Sequence, residues 1–329
     1  NQGTFLSALS AQDGSVKWKQ KVSISPQGDM LASDERLYVP TGRTNPGIFA
    51  RTDGAALGDL PSAGGTFALL TENVLVTGPG LRTKELDASD VETRDKIATF
   101  GGLRMLVSGP TAYMQSENQL SAFDRGAYLE FSKERNRLIR RREAINERLK
   151  KTNKNTLEAI QSQQKIRTLT KYIGELTAKM KDCYRWTVRC EYPYAMIMAG
   201  DALFVGGKDK IAAIDVSTGK VIWDAPVGGK AYGLSVVNGG LYVSTDKGRI
   251  HCFRSGVKED RKVIEVKTDT NPYPRDALTE RYSEIVKLII ERTGITKGYC
   301  LVLGCGRGRL AYELARRSDL KIIGIDEDP

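Results

Sequence analysis

The residues best suited to chemistry lie near the C-terminal end of the 329-residue chain. Tyr299-Cys300-Leu301-Val302-Leu303 is an apolar run that leads into Gly304-Cys305-Gly306-Arg307-Gly308, and a second apolar run, Leu320 to Ile325, ends on Asp326. Glycine at every second position lets the backbone approach a bound phosphate or ribose. A helix opening at Leu310 would turn its free N–H groups toward the same ligand. A carboxylate at the end of the following strand suits an acceptor for ribose hydroxyls. Leu303, Gly304, Cys305, Gly306, Gly308 and Asp326 are therefore candidate cofactor contacts, and no residue stands out as a catalytic acid, base or nucleophile.

Other chemistries find less support. The five cysteines are Cys183, Cys190, Cys252, Cys300 and Cys305, an odd number with no C-x-x-C pair. That spacing argues against a zinc site and against a disulfide framework. His251 is the single histidine, so a His-based metal cluster is not expected. No apolar stretch reaches the roughly 18 residues that would read as a membrane-spanning helix. The first residue is Asn1 rather than Met, which leaves a leader peptide open, and the end at Asp326-Glu327-Asp328-Pro329 reads as a cut.

The elements around the glycine-rich run form a recognisable order. Asp276 can cap a helix whose apolar stripe is Leu278, Tyr282, Ile285, Ile289 and Ile290 and which Gly294 closes. A buried strand, the turn, a helix from Leu310 to Arg317 and a second strand follow, the opening of a doubly wound α/β fold. Arg309 stands where a dinucleotide fingerprint would place its third glycine. The pattern instead resembles motif I of class I S-adenosylmethionine-dependent methyltransferases, with Gly304, Gly306 and Gly308 on that family's glycines and Gly324-Ile325-Asp326 on its second motif. Val302 stands where the family usually has an acidic residue. The resemblance covers residues 276–329 only. It implies S-adenosylmethionine as the cofactor of a longer parent protein, whose catalytic and substrate-binding segments would follow Pro329. The chain as given is expected to be inactive.

Most of the chain is organised differently. Short β-type runs centre on Tyr38, Leu75, Tyr113, Phe204 and Tyr242, at steps of 37, 38, 91 and 38. Each is followed by a turn and a second strand, as in Ile211–Asp215, Ile250–Phe253 and Gln119–Asp124, so each pair reads as a hairpin. A further signature recurs: Ala213-Ile214-Asp215-Val216-Ser217-Thr218-Gly219 precedes Trp223, and Ala8 to Gly14 precedes Trp18, with tryptophan four places after the turn glycine in both. Trp186 occupies the same place after an insertion. Two degraded copies are expected, one with Gly58 at the tryptophan position after Thr52-Asp53-Gly54, the other at Asp87 followed by Asp95. This repeat resembles that of PQQ-like, quinoprotein-type β-propellers over about residues 1–256. In such a repeat each blade is too thin to bury both faces alone and stacks on its neighbours. Residues 1–256 hold fewer repeats than the family's closed propellers, so further blades are expected upstream.

The long step marks an insertion of about 54 residues, near Gly126 to Arg185. Glycine and proline nearly vanish there. Ile166, Leu169, Ile173, Leu176 and Met180 step by 3 and 4, a heptad seam, matched upstream by Phe131, Leu138, Ile145 and Leu149. Lys151 to Asn155 is a polar break, so the insertion reads as an antiparallel coiled-coil hairpin. It carries 16 Lys plus Arg against 7 Asp plus Glu, so +9 of the chain's +10. Arg140, Arg141 and Arg142 sit at its centre. Such charge suits an acidic protein, nucleic acid or another anionic surface, and equally a solvated helical face.

The expected fold is mainly β: a partial β-propeller (1–125 and 186–256) interrupted by the hairpin (126–185), a linker (257–275) and a truncated α/β Rossmann-like unit (276–329). The resemblances imply a binding platform attached to a methyltransferase. The alternative is a non-catalytic scaffold like outer-membrane assembly propellers, with a protein partner on the propeller face or the hairpin. A PQQ-dependent dehydrogenase is less favoured: Asp215 recurs with the repeat at a strand end, and the adjacent Cys-Cys pair of many such enzymes is lacking. Location follows function: cytoplasmic with an active methyltransferase, periplasmic or membrane-associated as a scaffold.

Overall fold

A computed structural model describes residues 4–80, 83–151, 156–254 and 271–327. The chain divides into two compact units, residues 1–257 and 258–329. Much of the 257–275 segment, the hairpin's polar break at 152–155, and Asp328-Pro329 lie outside the described residues.

The first unit is a succession of antiparallel sheets that follow the repeat. Blade 1 pairs β1 (Thr4–Leu9) with β2 (Val16–Val22). Blade 2 is β3 (Leu31–Ala32), β4 (Arg36–Val39), β5 (Gly47–Ala50) and β6 (Ala56–Asp59) in that spatial order. Blade 3 is β7 (Phe67–Thr71), β8 (Val74–Gly78), β9 (Glu85–Asp90) and β10 (Lys96–Gly101). Blade 4 is β11 (Arg104–Ser108), β12 (Thr111–Gln115) and β13 (Gln119–Asp124), closed by β14 (Tyr184–Arg189) after helices α1 (Arg125–Lys150) and α2 (Leu157–Asp182). Blades 5 and 6 share a strand. β15 (Ala195–Ala199), β16 (Ala202–Gly206) and β17 (Lys208–Asp215) pair in that order, and β17 pairs with the first half of β18 (Val221–Val237). The second half pairs with β19 (Gly240–Thr245), which pairs with β20 (Ile250–Arg254).

Strand residues alternate between faces, and the inward set packs between sheets. Tyr38, Ile48, Leu75 and Val91 join blades 2 and 3, while Leu120, Ala122, Leu203 and Ile214 join blades 4 and 5, all buried. Each large aliphatic or aromatic side chain so buried stabilises the fold by about 1.5–3 kcal/mol.

Register identifies the repeat position without reference to residue type. Ala8, Ile48, Ala88, Ala122 and Ala213 pair with Trp18, Gly58, Ala98, Trp186 and Trp223 respectively. The third copy is therefore corrected: its turn opens at Asp90, not Asp87, Arg94 holds the glycine position, and Ala98 rather than Asp95 holds the tryptophan position. Asp87 points inward instead. It is buried and accepts from the Ala63 N–H at 2.8 Å and the Thr99 hydroxyl at 2.9 Å, with Lys96 Nζ at 2.7 Å.

The turns themselves are alike. The N–H of Gly14, Gly54, Arg94 and Gly219 each donates to the carbonyl four residues earlier at 2.9 Å. All four have positive φ, 74°, 75°, 60° and 71°. Glycine takes that conformation without strain; Arg94 is the exception. In blade 4 the short turn is replaced by the hairpin, yet the strands still meet, with Asp124 N–H on the Cys183 carbonyl at 2.9 Å. The helices run from Arg125 to Asp182, so the insertion starts one residue earlier and ends earlier than Arg185, which lies in β14. Of the seam residues, Leu169 and Ile173 are buried and Ile166, Leu176 and Met180 half-buried.

The second unit contains α3 (Ala277–Thr293), β21 (Lys297–Leu303), α4 (Arg309–Arg317) and β22 (Asp319–Ile325), with the two strands parallel. Asp276 caps α3, its Oδ1 accepting the Thr279 N–H at 2.8 Å, and Gly294 ends it in the left-handed conformation. Two expectations change. The face of α3 that reaches the core centres on Val286, while Leu278 and Ile289 are exposed. β21 is not a buried strand: Cys300 and Val302 face the helices, but Tyr299 and Leu303 are 78% and 72% exposed. Only one side of the two-stranded sheet carries helices within the described residues.

Candidate functional site

Three places could carry function. The first is the glycine-rich turn. Leu303 ends β21, and Gly304, Cys305, Gly306 and Gly308 lie in the turn to α4. The three glycines have φ of 63°, 49° and 77°, which explains their spacing. Asp326 follows β22, and its carboxylate accepts the Gly306 N–H. The Cys305 N–H donates to the Ile325 carbonyl at 3.1 Å. The six sequence candidates are thus brought to one end of the parallel pair. A Cβ placed on Gly304 or Gly306 would meet nothing within 4 Å, so space is open above them. Gly308 caps α4 and supplies no side-chain bond to its first N–H groups.

A neighbouring cluster was not legible beforehand. The Tyr273 hydroxyl donates to the Arg307 carbonyl at 2.5 Å, and the Arg309 guanidinium lies 4.9 Å from the Tyr273 ring centre. Arg309 also grips Asp276 at 2.8 and 2.9 Å. That bond, with the Thr279 N–H, lowers the Asp276 carboxyl to about 2. Tyr273 was read as part of a linker.

The second place is the hairpin. Its base is welded to the blades. Tyr128 packs with Phe100, Phe123 and Tyr184 at ring separations of 5.0, 5.3 and 6.1 Å. Burial pushes the Tyr184 hydroxyl up to about 12. Ser132 and Asn136 both donate to the Ile97 carbonyl, at 2.7 and 2.9 Å. Part of the positive charge is used internally: Lys133 pairs with Asp90 at 3.5 Å and Arg140 with Asp95 at 3.7 Å. Arg140 remains exposed despite its contact with Asp95. Arg141 is exposed and Arg142 half-buried, and neither makes an ion pair among the described residues.

The third place escaped sequence reasoning. The loop between β14 and β15 carries Tyr192 and Tyr194, and Tyr232 lies on β18. Lys210 Nζ sits 5.0 Å from the Tyr192 ring centre and Lys230 Nζ 5.5 Å from that of Tyr194, which itself lies 5.1 Å from Tyr232. Beneath them Gln115 Nε2 donates to the Tyr192 carbonyl and Arg104 Nη1 to that of Tyr194. Burial lowers the Arg104 guanidinium from its ordinary value. The available signal was two long polar residues, Arg104 and Gln115, at opposed positions of apolar strands. Among the described residues no three His, Cys, Asp or Glu side chains come close enough to hold a metal ion, and no helix is long and apolar enough to cross a membrane.

The sequence family described as Outer membrane protein assembly factor BamB matches residues 185–273. That stretch takes in β14 to β20 and hence the tyrosine cluster. No curated protein matches the chain. Among solved structures, the chain is similar to BamB from Moraxella catarrhalis, at 12% identity and a TM-score of 0.45, over 77% of this chain and 67% of that one. It is similar to the computationally designed Ika8 protein at 10% identity and a TM-score of 0.48, over 74% and 63%. For a chain of the Mitotic Checkpoint Complex the values are 12%, 0.44, 70% and 62%. The chain therefore spans 62–67% of the length of these structures.

Proposed function

We propose that the chain is a protein-binding platform of the assembly-factor type, with the surface of Tyr192, Tyr194 and Tyr232 as its principal contact. The observation that carries this reading is the support beneath the rings. Gln115 and Arg104 reach from blade 4 to hold the carbonyls of Tyr192 and Tyr194, so the loop is ordered before a partner arrives. Tyrosine presents a large amphipathic area at low conformational cost, and a preordered aromatic patch is the usual centre of an interface. Lys210 and Lys230 add a polar, cationic rim. The name of the matching family, an assembly factor, agrees with a scaffold role. Chemical cross-linking of the full chain followed by identification of the captured protein tests the reading. A partner should be lost on Tyr232→Ala, whose thermal melt should be unchanged because the ring is 54% exposed. Equal capture by both proteins overturns it.

A second reading concerns the other unit, supported by the parallel strands, the open glycines and the Asp326 carboxylate beside them. Gly304, Gly306 and Gly308 would admit S-adenosylmethionine, Asp326 would accept its ribose hydroxyls, and Leu303 and Cys305 would flank it. The cofactor would supply an electrophilic methyl group. Val302 offers no carboxylate where the resembling family usually has one. Calorimetry of the full chain with S-adenosylmethionine should register binding that Asp326→Ala weakens; no heat of binding to the unaltered chain removes this reading.

A further inference from the structure

Blade 5 passes into blade 6 without a loop, because β18 belongs to both sheets, and the crossing point is Gly228-Gly229-Lys230. Cationic side chains gather there. Lys208 and Lys230 are register partners on β17 and β18, so their ammonium groups leave from opposed positions, which costs stability unless an anion lies between them. A Cβ placed on Gly229 would meet Lys247 Cγ at 2.7 Å, and one on Gly228 would meet Arg249 Nη1 at 3.1 Å, so both of these side chains also lie over the crossing. Lys210 is matched by Glu191 at 2.9 Å, whereas Lys208, Lys230, Lys247 and Arg249 make no ion pair among the described residues. Two acids are close, and each has an oxygen on the backbone. Asp209 Oδ1 accepts the Gly229 N–H at 2.9 Å and Asp246 Oδ1 the Lys230 N–H at 2.7 Å. Four cations thus surround one crossing against two carboxylates. Lys230 also joins the cluster to the rings, its Nζ lying over Tyr194, which leans at 57° on Tyr232.

We propose that this crossing receives an acidic segment of the partner protein, whose carboxylates lie on Lys208, Lys230, Lys247 and Arg249 while its apolar side chains rest on Tyr194 and Tyr232. The inference rests on the reading of the tyrosine surface as a protein contact and adds the chemistry of what docks there. Carboxylates relieve the repulsion between the opposed lysines and give orientation and rapid encounter, while the rings supply the buried area. A nucleic acid fits less well. Its backbone needs cations along a track of several nucleotides and ring faces for successive bases, whereas these cations ring one short stretch of chain and the two rings are tilted against each other. The charge is also separate from that of the hairpin, since residues 126–185 contain none of these four cations.

Fluorescence anisotropy with the full chain tests it, using a labelled peptide that alternates aspartate with leucine, its asparagine counterpart and an oligouridylate of equal length. The acidic peptide should bind, and the asparagine peptide about tenfold more weakly. Lys208→Glu with Lys230→Glu should weaken the acidic peptide about tenfold. Lys208→Gln with Lys230→Gln should weaken it about threefold without lowering the melt, because that pair removes a repulsion. Arg141→Glu on the hairpin should leave binding unchanged. Absent binding of the acidic peptide, equal binding of both peptides, an affinity that the lysine variants keep, or an equal loss in Arg141→Glu overturns the proposal. So does tighter binding of the oligouridylate that the same lysine variants abolish. Cross-linking separates this inference from the platform itself. A partner lost with Tyr232→Ala but captured undiminished by Lys208→Glu with Lys230→Glu leaves the platform and removes the acidic segment; a partner that both variants keep removes the platform as well.

Discussion

At the contact between blades 4 and 5 the earlier blade supplies the bulk. The Trp186 ring lies on Gly219, where an added Cβ would come within 2.7 Å of the ring, and Nε1–H donates to the Val216 carbonyl at 3.0 Å. At the contact between blades 2 and 3 the later blade supplies it. Gly58 stands at the tryptophan position and Arg94 reaches back over it, a Cβ on Gly58 lying 2.8 Å from Nη1, while Nη2 donates to the Leu57 carbonyl at 2.7 Å. Large and small residues have changed sides. The third contact, between blades 3 and 4, has Ala98 at the position, and α1 fills the space, Ser132 and Asn136 donating to the Ile97 carbonyl. Leu57 and Ile97 are equivalent by register, each one place before the tryptophan position. What the repeat preserves is a filled gap and a donor crossing to a backbone carbonyl, not a residue. The arginine solution costs about 1 kcal/mol in left-handed backbone at Arg94, which the tryptophan–glycine pair avoids.

The largest expected effect separates the two solutions directly. Trp186→Ala removes the ring from between Tyr113 and the Gly219 turn and should cost about 3 kcal/mol in urea unfolding. Arg94→Ala removes a side chain that is mostly outside the core and should cost about 1 kcal/mol. Equal losses would mean that the two contacts are not alternatives of one design. Exchange is the sharper trial. Gly58→Trp alone drives the ring against Arg94 and places a side chain at a φ of 112°; adding Arg94→Gly removes the clash and relieves the positive φ at position 94, while the backbone strain at position 58 is common to both variants. A double-mutant cycle should show favourable coupling of about 1–2 kcal/mol between the two changes. Additive behaviour would break the comparison.

These contacts also explain which parts of the molecule were legible. The β runs, the tryptophan spacing and the size of the insertion came through because each is local and periodic. Arg94 and Ala98 did not, since a compensating exchange erases both marks of the repeat at once and only strand register restores the alignment. The charge of the hairpin was readable, but its division was not: Asp90 and Asp95 neutralise Lys133 and Arg140 from a different blade. The glycine-rich turn and Asp326 converge as their spacing suggested, because a short crossover leaves little freedom. Tyr192, Tyr194 and Tyr232 meet only through the packing of β14, β15 and β18.

Asp124 offers a smaller contrast. In blades 3 and 5 the corresponding aspartate closes the turn: Asp90 Oδ1 accepts the Glu92 and Thr93 N–H groups, both at 2.9 Å, and Asp215 Oδ1 those of Ser217 and Thr218 at 3.2 and 2.8 Å. In blade 4 the same position caps a helix, Oδ1 of Asp124 accepting the Ala127 N–H at 3.0 Å. Asp124→Ala should therefore cost about 1 kcal/mol, the usual loss of a helix cap. The loss should appear as faster amide exchange in the first turn of α1. Exchange that speeds instead along β13 and β14 would show that Asp124 still serves the strands rather than the inserted helix.

The smallest effect compares two half-buried aspartates held by different partners. Asp215 lies below its ordinary range chiefly through the Thr218 hydroxyl and N–H. Asp276 lies at about 2 chiefly through the Arg309 side chain. Both carboxylates are favoured when folded, so their contributions are complete above the unfolded value of 3.8 and fall away as the pH drops toward the folded one. For Asp276 the window is about pH 4 to 2. Carboxyl NMR should place the Asp276 midpoint near 2 and move it up toward 3.8 in Arg309→Ala, with Asp215 unmoved. Raising salt to about 0.5 M, where the Debye length is roughly 4 Å, should shift Asp276 upward and leave Asp215 in place, since only the former leans on a full charge. A salt shift of equal size at both would assign Asp276 to its helix-capping N–H and not to Arg309.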